Sequence, residues 1–227
     1  MGISGFAGWD HGRHQSPEEE LPRLFVWFAS LSSVAVVLSI FASVYLSPAD
    51  DPTFQFSEEG INTALSAICM AMAGVSAALV FYLRARTFDY GALFWLLLAA
   101  GCIFLSLDEQ LGFHERGGAM LDASSLGGLE GFRNWNDIIV IAYGFVVLAV
   151  AGLFGREILS SRTFAALLAI GFGFFAIHTA VDSMVPSSFV WKDVPEEGSK
   201  LISVFFLFLA TSARLVLLIE EMLRARR

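Results

Sequence analysis

The chain has 227 residues and a formal net charge of −8, and 56% of its residues are hydrophobic while only 16% are charged. Its mean hydropathy of +0.66 is too high for an ordinary soluble domain, which has nowhere to bury so much apolar surface. With 14 Lys and Arg against 22 Asp and Glu, the chain also lacks the basic surface that a nucleic-acid partner requires. We therefore predict an integral membrane protein.

Apolar runs long enough to cross a bilayer recur six times along the chain. A hydrocarbon core about 30 Å thick requires roughly 20 apolar residues per helix, and lipid offers no partner for free backbone groups. We predict an all-α fold, a bundle of about six transmembrane helices that forms a single domain over residues 1–227. The predicted spans cover residues 24–46, 61–83, 90–107, 138–155, 163–182 and 200–219.

The distribution of Lys and Arg predicts the orientation, because cytoplasmic loops carry the excess of these residues. Nine basic residues lie on the side of the two termini and four on the opposite side. We expect both termini to be cytoplasmic, with residues 1–22 as a cytoplasmic segment and residues 108–137 as an extracytoplasmic connection that contains a short helix. The expected location is the cell (inner) membrane.

Polar side chains follow the third span directly, in the phrase LSLDEQLGFHE. If the helix continues outward, Asp108 and Glu115 share one face, and the small Gly112 between them allows another helix to approach. Asp108 and Glu109 are candidate catalytic groups, and His114 and Glu115 are candidate metal ligands. The alternative is that Asp108 and Glu109 are solvated residues where a helix leaves the bilayer.

A second set of polar residues lies at the end of the fifth span and at the start of the sixth. His178 and Asp182 are four residues apart, so that one helix presents both to the same ion or water. An unpaired ionisable group inside a membrane costs up to a few kcal/mol, which makes such residues candidates for a functional site. The alternatives are a structural pair for His178 and Asp182, and simple pairing with the helix dipole for Glu196 and Glu197.

Together these residues offer imidazole and carboxylate ligands that suit a divalent metal, either Zn, Fe or Mn. The Glu-x-x-His pairs of four-helix diiron proteins are absent from the sequence. The predicted metal ligands are His114, Glu115, His178, Asp182, Glu196 and Glu197.

The phrases LSLDEQLGFHE and VPEEGSKLI resemble those of uncharacterised bacterial multi-pass membrane proteins with SLDE, HE and EE motifs. This resemblance covers the third to sixth spans and implies no established activity. A looser resemblance connects the chain to the alkaline ceramidase and adiponectin-receptor superfamily, membrane zinc hydrolases that combine Ser, Asp and three His. Ser106, Asp108, His114 and His178 match part of that set, but the paired His of the family's last helix has no counterpart in the predicted sixth span.

Three functions remain open from the sequence. The first is a metal-dependent enzyme that acts on a lipid-like substrate at the extracytoplasmic face, with Glu109 as general base beside a metal-bound water. The second is a non-enzymatic protein: a small transporter, a proton relay through His178 and Asp182, or a partner subunit of a membrane complex. The third, a haem protein, requires His114 and His178 at matching depth. The lipid bilayer is the expected partner in every case, and the sequence leaves the oligomeric state open.

Overall fold

The computed structural model describes residues 20–57, 60–85, 90–123, 135–186 and 188–226, apart from the side chains of residues 136 and 137. Within these ranges the regular structure is helical and no strand occurs, which confirms the all-α prediction. A 3-10 turn at Phe54–Phe56 lies between the first two helices. The helices are α1 (Arg23–Leu46), α2 (Ile61–Arg84), α3 (Tyr90–Leu111), α4 (Phe113–Asp122), α5 (Trp135–Leu153), α6 (Gly155–Ile158), α7 (Arg162–Met184) and α8 (Asp193–Arg224).

Five of the described helices are long and apolar enough to cross a membrane: α1, α2, α3, α7 and α8. Their most apolar 18-residue stretches have mean hydropathies of 2.0 to 2.3. The fourth predicted span corresponds to α5, whose apolar part, Ile138–Leu153, is shorter. The molecule is therefore a helical multi-pass membrane protein, and the count of six spans stays a prediction.

Helix α8 occupies the centre of the bundle, because it packs along both α2 and α7 and also touches α1. In the most apolar 18-residue stretch of α8, 56% of the residues are buried within the protein, whereas in that of α1 only 6% are buried. The side chains of α1 thus face outward along most of its length, as expected for a helix surrounded by lipid rather than by water.

Helices α2, α3 and α8 meet along one line, which we call the three-helix junction. Its apolar core contains Ala73 of α2, Cys102 of α3 and Phe205 of α8. Further along, Ser76 and Ser212 share a hydrogen bond of 3.2 Å between their hydroxyl oxygens. Ala73 lies beside Phe205, and Ser76, which is later in α2, lies beside Ser212, which is later in α8. These two helices therefore run in the same direction.

Helix α3 runs in the opposite direction to α2. The Ser106 hydroxyl donates a hydrogen bond of 2.8 Å to the carbonyl oxygen of Ala67, whereas Cys102 lies beside Ala73. The C-terminal end of α3 therefore reaches the same end of the bundle as the N-terminal ends of α2 and α8. We call this the polar end, since most of the predicted site residues lie there.

Candidate metal centre

Helices α3 and α8 extend further at the polar end than the apolar pattern predicts. Helix α8 begins at Asp193, seven residues before the predicted span, and α3 continues to Leu111, four residues beyond its predicted end. Acidic residues in the first turn of α8 oppose the partial positive charge of the helix terminus, which favours this early start. As a result, Glu109 and Glu196 are held on rigid helices rather than on loops.

His178, Glu196 and Glu197 come together at the polar end. Each offers one potential ligand atom, and these atoms all lie within 4.8 Å of one another. All three side chains are half-buried. Within the described ranges this is the one group of three or more His, Cys, Asp or Glu residues with that geometry.

The hydrogen bonding of His178 sets the state of its ring. Its Nδ1 atom lies 3.0 Å from the backbone carbonyl oxygen of Glu196. A carbonyl oxygen only accepts, so Nδ1 must donate, and the Nε2 atom of the neutral ring keeps its lone pair. Metal-bound histidines use the same arrangement, in which the second ring nitrogen donates to a carbonyl or carboxylate.

Two lysines hold the carboxylates of this region in place. The Lys192 ammonium lies 2.9 Å from Asp182 and 3.3 Å from Glu196. Its hydrogen bond to the Asp182 carboxylate and the nearby charge of Glu196 raise the pKa of Lys192 above its usual value.

The second lysine acts in the same way about two helical turns further along the chain. The Lys200 ammonium lies 2.7 Å from Glu109 and 2.5 Å from Glu197, so it joins α3 to α8. When all groups are ionised, the four carboxylates of Asp182, Glu109, Glu196 and Glu197 exceed the two ammonium groups by two negative charges. A divalent cation would balance that surplus.

His114 belongs to a separate arrangement at the corner between α3 and α4. The buried carboxylate of Asp108 accepts hydrogen bonds from the backbone N–H of His114 at 2.8 Å and from its Nδ1 atom at 2.9 Å. The Glu115 carboxylate lies 3.8 Å from Nε2 of the same ring. Asp108 thus supports the first turn of α4 and orients His114.

The predicted ligand set is divided by this geometry. His178, Glu196 and Glu197 form the compact group, while His114, Glu115 and Asp182 do not belong to it. Asp182 instead pairs with Lys192, and Glu109 pairs with Lys200.

Comparison with known families places the chain in a defined group. Residues 24–215 match the family described as "Domain of unknown function (DUF8692)". The chain belongs to this family. The matched region of the DUF8692 protein includes every residue of the compact group. No significant match was found among curated proteins or among solved structures, so the likeness to the ceramidase superfamily stays a prediction.

The sequence of this DUF8692 chain points to the histidine and the acids of the compact group, but its analysis missed the two lysines beside them. In the sequence analysis, Lys192 and Lys200 were used only as two of the basic residues whose distribution predicts the orientation of the chain. Their spacing was the available signal, since Lys192 precedes Glu196 by four residues and Lys200 follows Glu197 by three. Such spacings place opposite charges side by side on a helix.

Proposed function

We propose that this DUF8692 protein is a membrane enzyme that binds a divalent metal ion at His178, Glu196 and Glu197 and acts on a lipid-like substrate. One observation carries the proposal: three potential ligand atoms lie within 4.8 Å of one another. The orientation of His178 by the Glu196 carbonyl supports it, because this hydrogen bond leaves Nε2 available to a metal. The excess of carboxylate side chains over ammonium groups around the three ligands gives further support.

The chemistry of the proposed centre follows from its ligands. One imidazole and two carboxylates suit Zn, Fe or Mn, and three protein ligands leave a position open for water or substrate. A bound metal ion would supply a more acidic water and polarise an oxygen of the substrate. Glu109, held beside Glu197 by Lys200, is the carboxylate to which we assign proton transfer.

The surroundings of His178 favour a substrate that arrives from the bilayer. Its ring lies 5.9 Å from that of Phe175, and both Phe175 and Ile177 are exposed on the surface of α7. Apolar side chains that face outward on a membrane helix contact lipid. A lipid-like molecule would therefore reach the centre by moving along α7.

Metal analysis of the purified protein in lipid nanodiscs tests the proposal. We expect stoichiometric Zn, Fe or Mn in the wild type and loss of most of it in His178→Ala. His114→Ala is the matched control and should retain the metal, because His114 pairs with Asp108. Absence of metal from the wild type, or equal content in His178→Ala, would overturn the metal centre.

A second function, a proton relay without enzymatic activity, is favoured by the ion pairs. They run from Asp182, whose side chain is 51% exposed, through Lys192 to Glu196, and onward from Glu197 through Lys200 to Glu109. Proton flux into vesicles that stops in Asp182→Asn and persists in Asp51→Asn would support this alternative. We rank it second, because the apolar core of the three-helix junction lies between these groups and the other end of the bundle.

We further propose that the chain crosses the inner membrane six times, that both termini are cytoplasmic, and that the polar end is extracytoplasmic. The excess of basic residues on the side of the termini supports this orientation.

A further inference from the structure

An apolar groove lies between the first turns of α1 and the first turns of α7, with α8 as its floor. Both helices pack against α8, but no extensive contact joins these two described helices to each other. The groove has a volume of about 360 Å³. Its lining includes Phe25, Ala29 and Ser30 of α1, Ala166 and Leu167 of α7, and Leu209 of α8. We call it the α1–α7 groove.

The directions of the helices place this groove at the end of the bundle opposite the polar end. The ring of Phe28 on α1 lies 6.3 Å from that of Phe208 on α8, whereas Ile40, later in α1, lies beside Gly198, earlier in α8. Helix α1 is therefore antiparallel to α8. Helix α7 is antiparallel to α8 as well, because His178 near its C-terminal end contacts the first turn of α8. Since α8 begins at the polar end, α1 and α7 both begin at the other end.

The lining of the α1–α7 groove matches hydrocarbon. The side chains of Phe25, Leu167 and Leu209 carry no polar atom, and the Ser30 hydroxyl already donates to the carbonyl oxygen of Val26, at 2.9 Å. Apolar cavities stay dry, because a water molecule needs two to four polar partners. The apolar runs of α1 and α7 begin at residues 24 and 163, so the groove lies inside the edge of the hydrocarbon core. An acyl chain of a lipid is therefore the ligand that fits it.

Two arginines lie at the outer end of the groove, on the side where the headgroup of such a lipid would be. Arg23 is the first residue of α1 and Arg162 is the first residue of α7, and both are exposed. Within residues 20–30 and 162–167, which carry most of the lining, Glu20 is the single acid. The charge beside the groove is thus positive. A guanidinium group binds phosphate through paired N–H donors, and a second positive charge disfavours the ammonium of a zwitterionic headgroup.

We propose that the α1–α7 groove binds an anionic phospholipid, with one acyl chain between α1 and α7 and the phosphate between Arg23 and Arg162. The bound lipid joins α1, the least buried of the five long apolar helices, to α7. In the proposed orientation this end of the bundle lies in the cytoplasmic leaflet, where anionic lipids attract basic residues. The lipid site lies at the opposite end from the metal centre and does not depend on it.

Native mass spectrometry of the protein released from mixed nanodiscs tests the headgroup preference. The nanodiscs contain equal amounts of dioleoyl-phosphatidylglycerol and dioleoyl-phosphatidylcholine, which differ only in the headgroup. We expect the wild type to retain one phosphatidylglycerol per chain, with a preference of about tenfold over phosphatidylcholine. Arg23→Gln combined with Arg162→Gln should remove most of this preference. The matched control, Arg156→Gln combined with Arg224→Gln, also removes two exposed arginines from this end and should keep it.

A larger side chain inside the groove tests the position of the acyl chain. Ala166 is exposed on α7, and Ala166→Phe should occupy the space of the lipid, so that most of the bound phosphatidylglycerol is lost. Ala176→Phe is the control, because Ala176 is also exposed on α7 but lies outside the lining. Thermal unfolding verifies that both variants fold.

Equal retention of the two lipids by the wild type would overturn the inference. So would full retention of phosphatidylglycerol by Ala166→Phe. An equal loss of preference in both double arginine variants would also overturn it, because that result describes general attraction between a basic surface and an anionic membrane. A dimer that dissociates in Ala166→Phe would place a second copy of the chain in the groove instead of a lipid. The metal content of the wild type is measured separately, so the lipid site and the metal centre stand or fall independently.

Discussion

Glu157 stabilises the end of the bundle that lies opposite the polar end, and its substitution should lower the free energy of unfolding. Its carboxylate forms an ion pair with Arg84 and accepts a hydrogen bond of 2.8 Å from Nε1 of Trp95, which is fully buried. This contact ties α6 to α2 and α3. Glu157→Gln removes the charge opposite Arg84, and we expect a loss of about 2 kcal/mol or more in the free energy of unfolding.

Unfolding in mixed micelles by SDS measures this loss. Glu221→Gln is the matched control, because Glu221 also pairs with an arginine, Arg214 at 3.1 Å, but is 60% exposed. An exposed pair contributes less than about 1 kcal/mol. Equal unfolding curves for Glu157→Gln and the wild type would contradict the role of the buried pair.

Residue by residue, the candidate site was only partly predictable. His178, Glu196 and Glu197 stand out because ionisable groups beside apolar spans are rare. That His114 pairs with Asp108 rather than joining His178 depends on how α4 leaves α3, which residue types alone do not specify.

At the scale of elements, the contact between α7 and α8 depends on the absence of a side chain at residue 171. A Cβ atom on Gly171 would lie 3.0 Å from the carbonyl oxygen of Ser203 and 3.3 Å from Cβ of Phe206, whereas one on Gly173 would meet nothing within 4 Å. We expect Gly171→Ala to lower the free energy of unfolding by about 1 to 3 kcal/mol. Gly173→Ala should raise it by up to about 1 kcal/mol.

Gly171 and Gly173 lie on the same helix and receive the same substitution. A comparison of the two variants therefore tests whether the close contact between α7 and α8 requires a glycine at residue 171. The measurement is again SDS-induced unfolding. Effects of the same sign and size would show that the distance between α7 and α8 does not depend on Gly171.

The corner between α3 and α4 depends on another glycine. Gly112 has a φ of 60°, a left-handed conformation that costs other residues about 1 to 2 kcal/mol. We expect Gly112→Ala to loosen α4 and the bonds between His114 and Asp108, and hydrogen exchange of Phe113–Asp122 should accelerate. Gly117→Ala, inside α4, is the control and should not accelerate it; unchanged exchange in Gly112→Ala would contradict the prediction.

The existence and order of the long helices were predictable, but the polar ends of α3 and α8 were not. Helix α2 covers Ile61–Arg84, which agrees with the predicted residues 61–83 to within one residue. For α8 the pattern gives only 200–219, whereas the helix covers Asp193–Arg224. Hydropathy detects the part of a helix that lies in hydrocarbon, while a helix continues into water wherever caps and ion pairs satisfy its charged residues.

At the scale of the whole molecule, the three-helix junction gives the bundle two chemically different ends. The polar end carries the compact group and the ion pairs of Lys192 and Lys200. The other end is closed by an aromatic core that includes Phe94, Trp95 and Phe164. The apolar level at Ala73, Cys102 and Phe205 lies between the two ends and separates the polar side chains of one end from those of the other.

The proposed orientation of the bundle predicts which residues a membrane-impermeant maleimide reaches on intact cells. In a background with Cys69 and Cys102 replaced by Ala, single cysteines at Asp122, Ser188 and Arg226 report on three exposed positions. We expect the first two to be labelled on intact cells and Arg226→Cys to be labelled only after lysis. If Arg226→Cys alone were labelled on intact cells, the orientation would be the opposite of the proposed one, but the proposed site would be unaffected. Labelling of only one of Asp122→Cys and Ser188→Cys would place α4 and the start of α8 on opposite sides of the membrane, and Lys200 would then be unable to bridge Glu109 and Glu197.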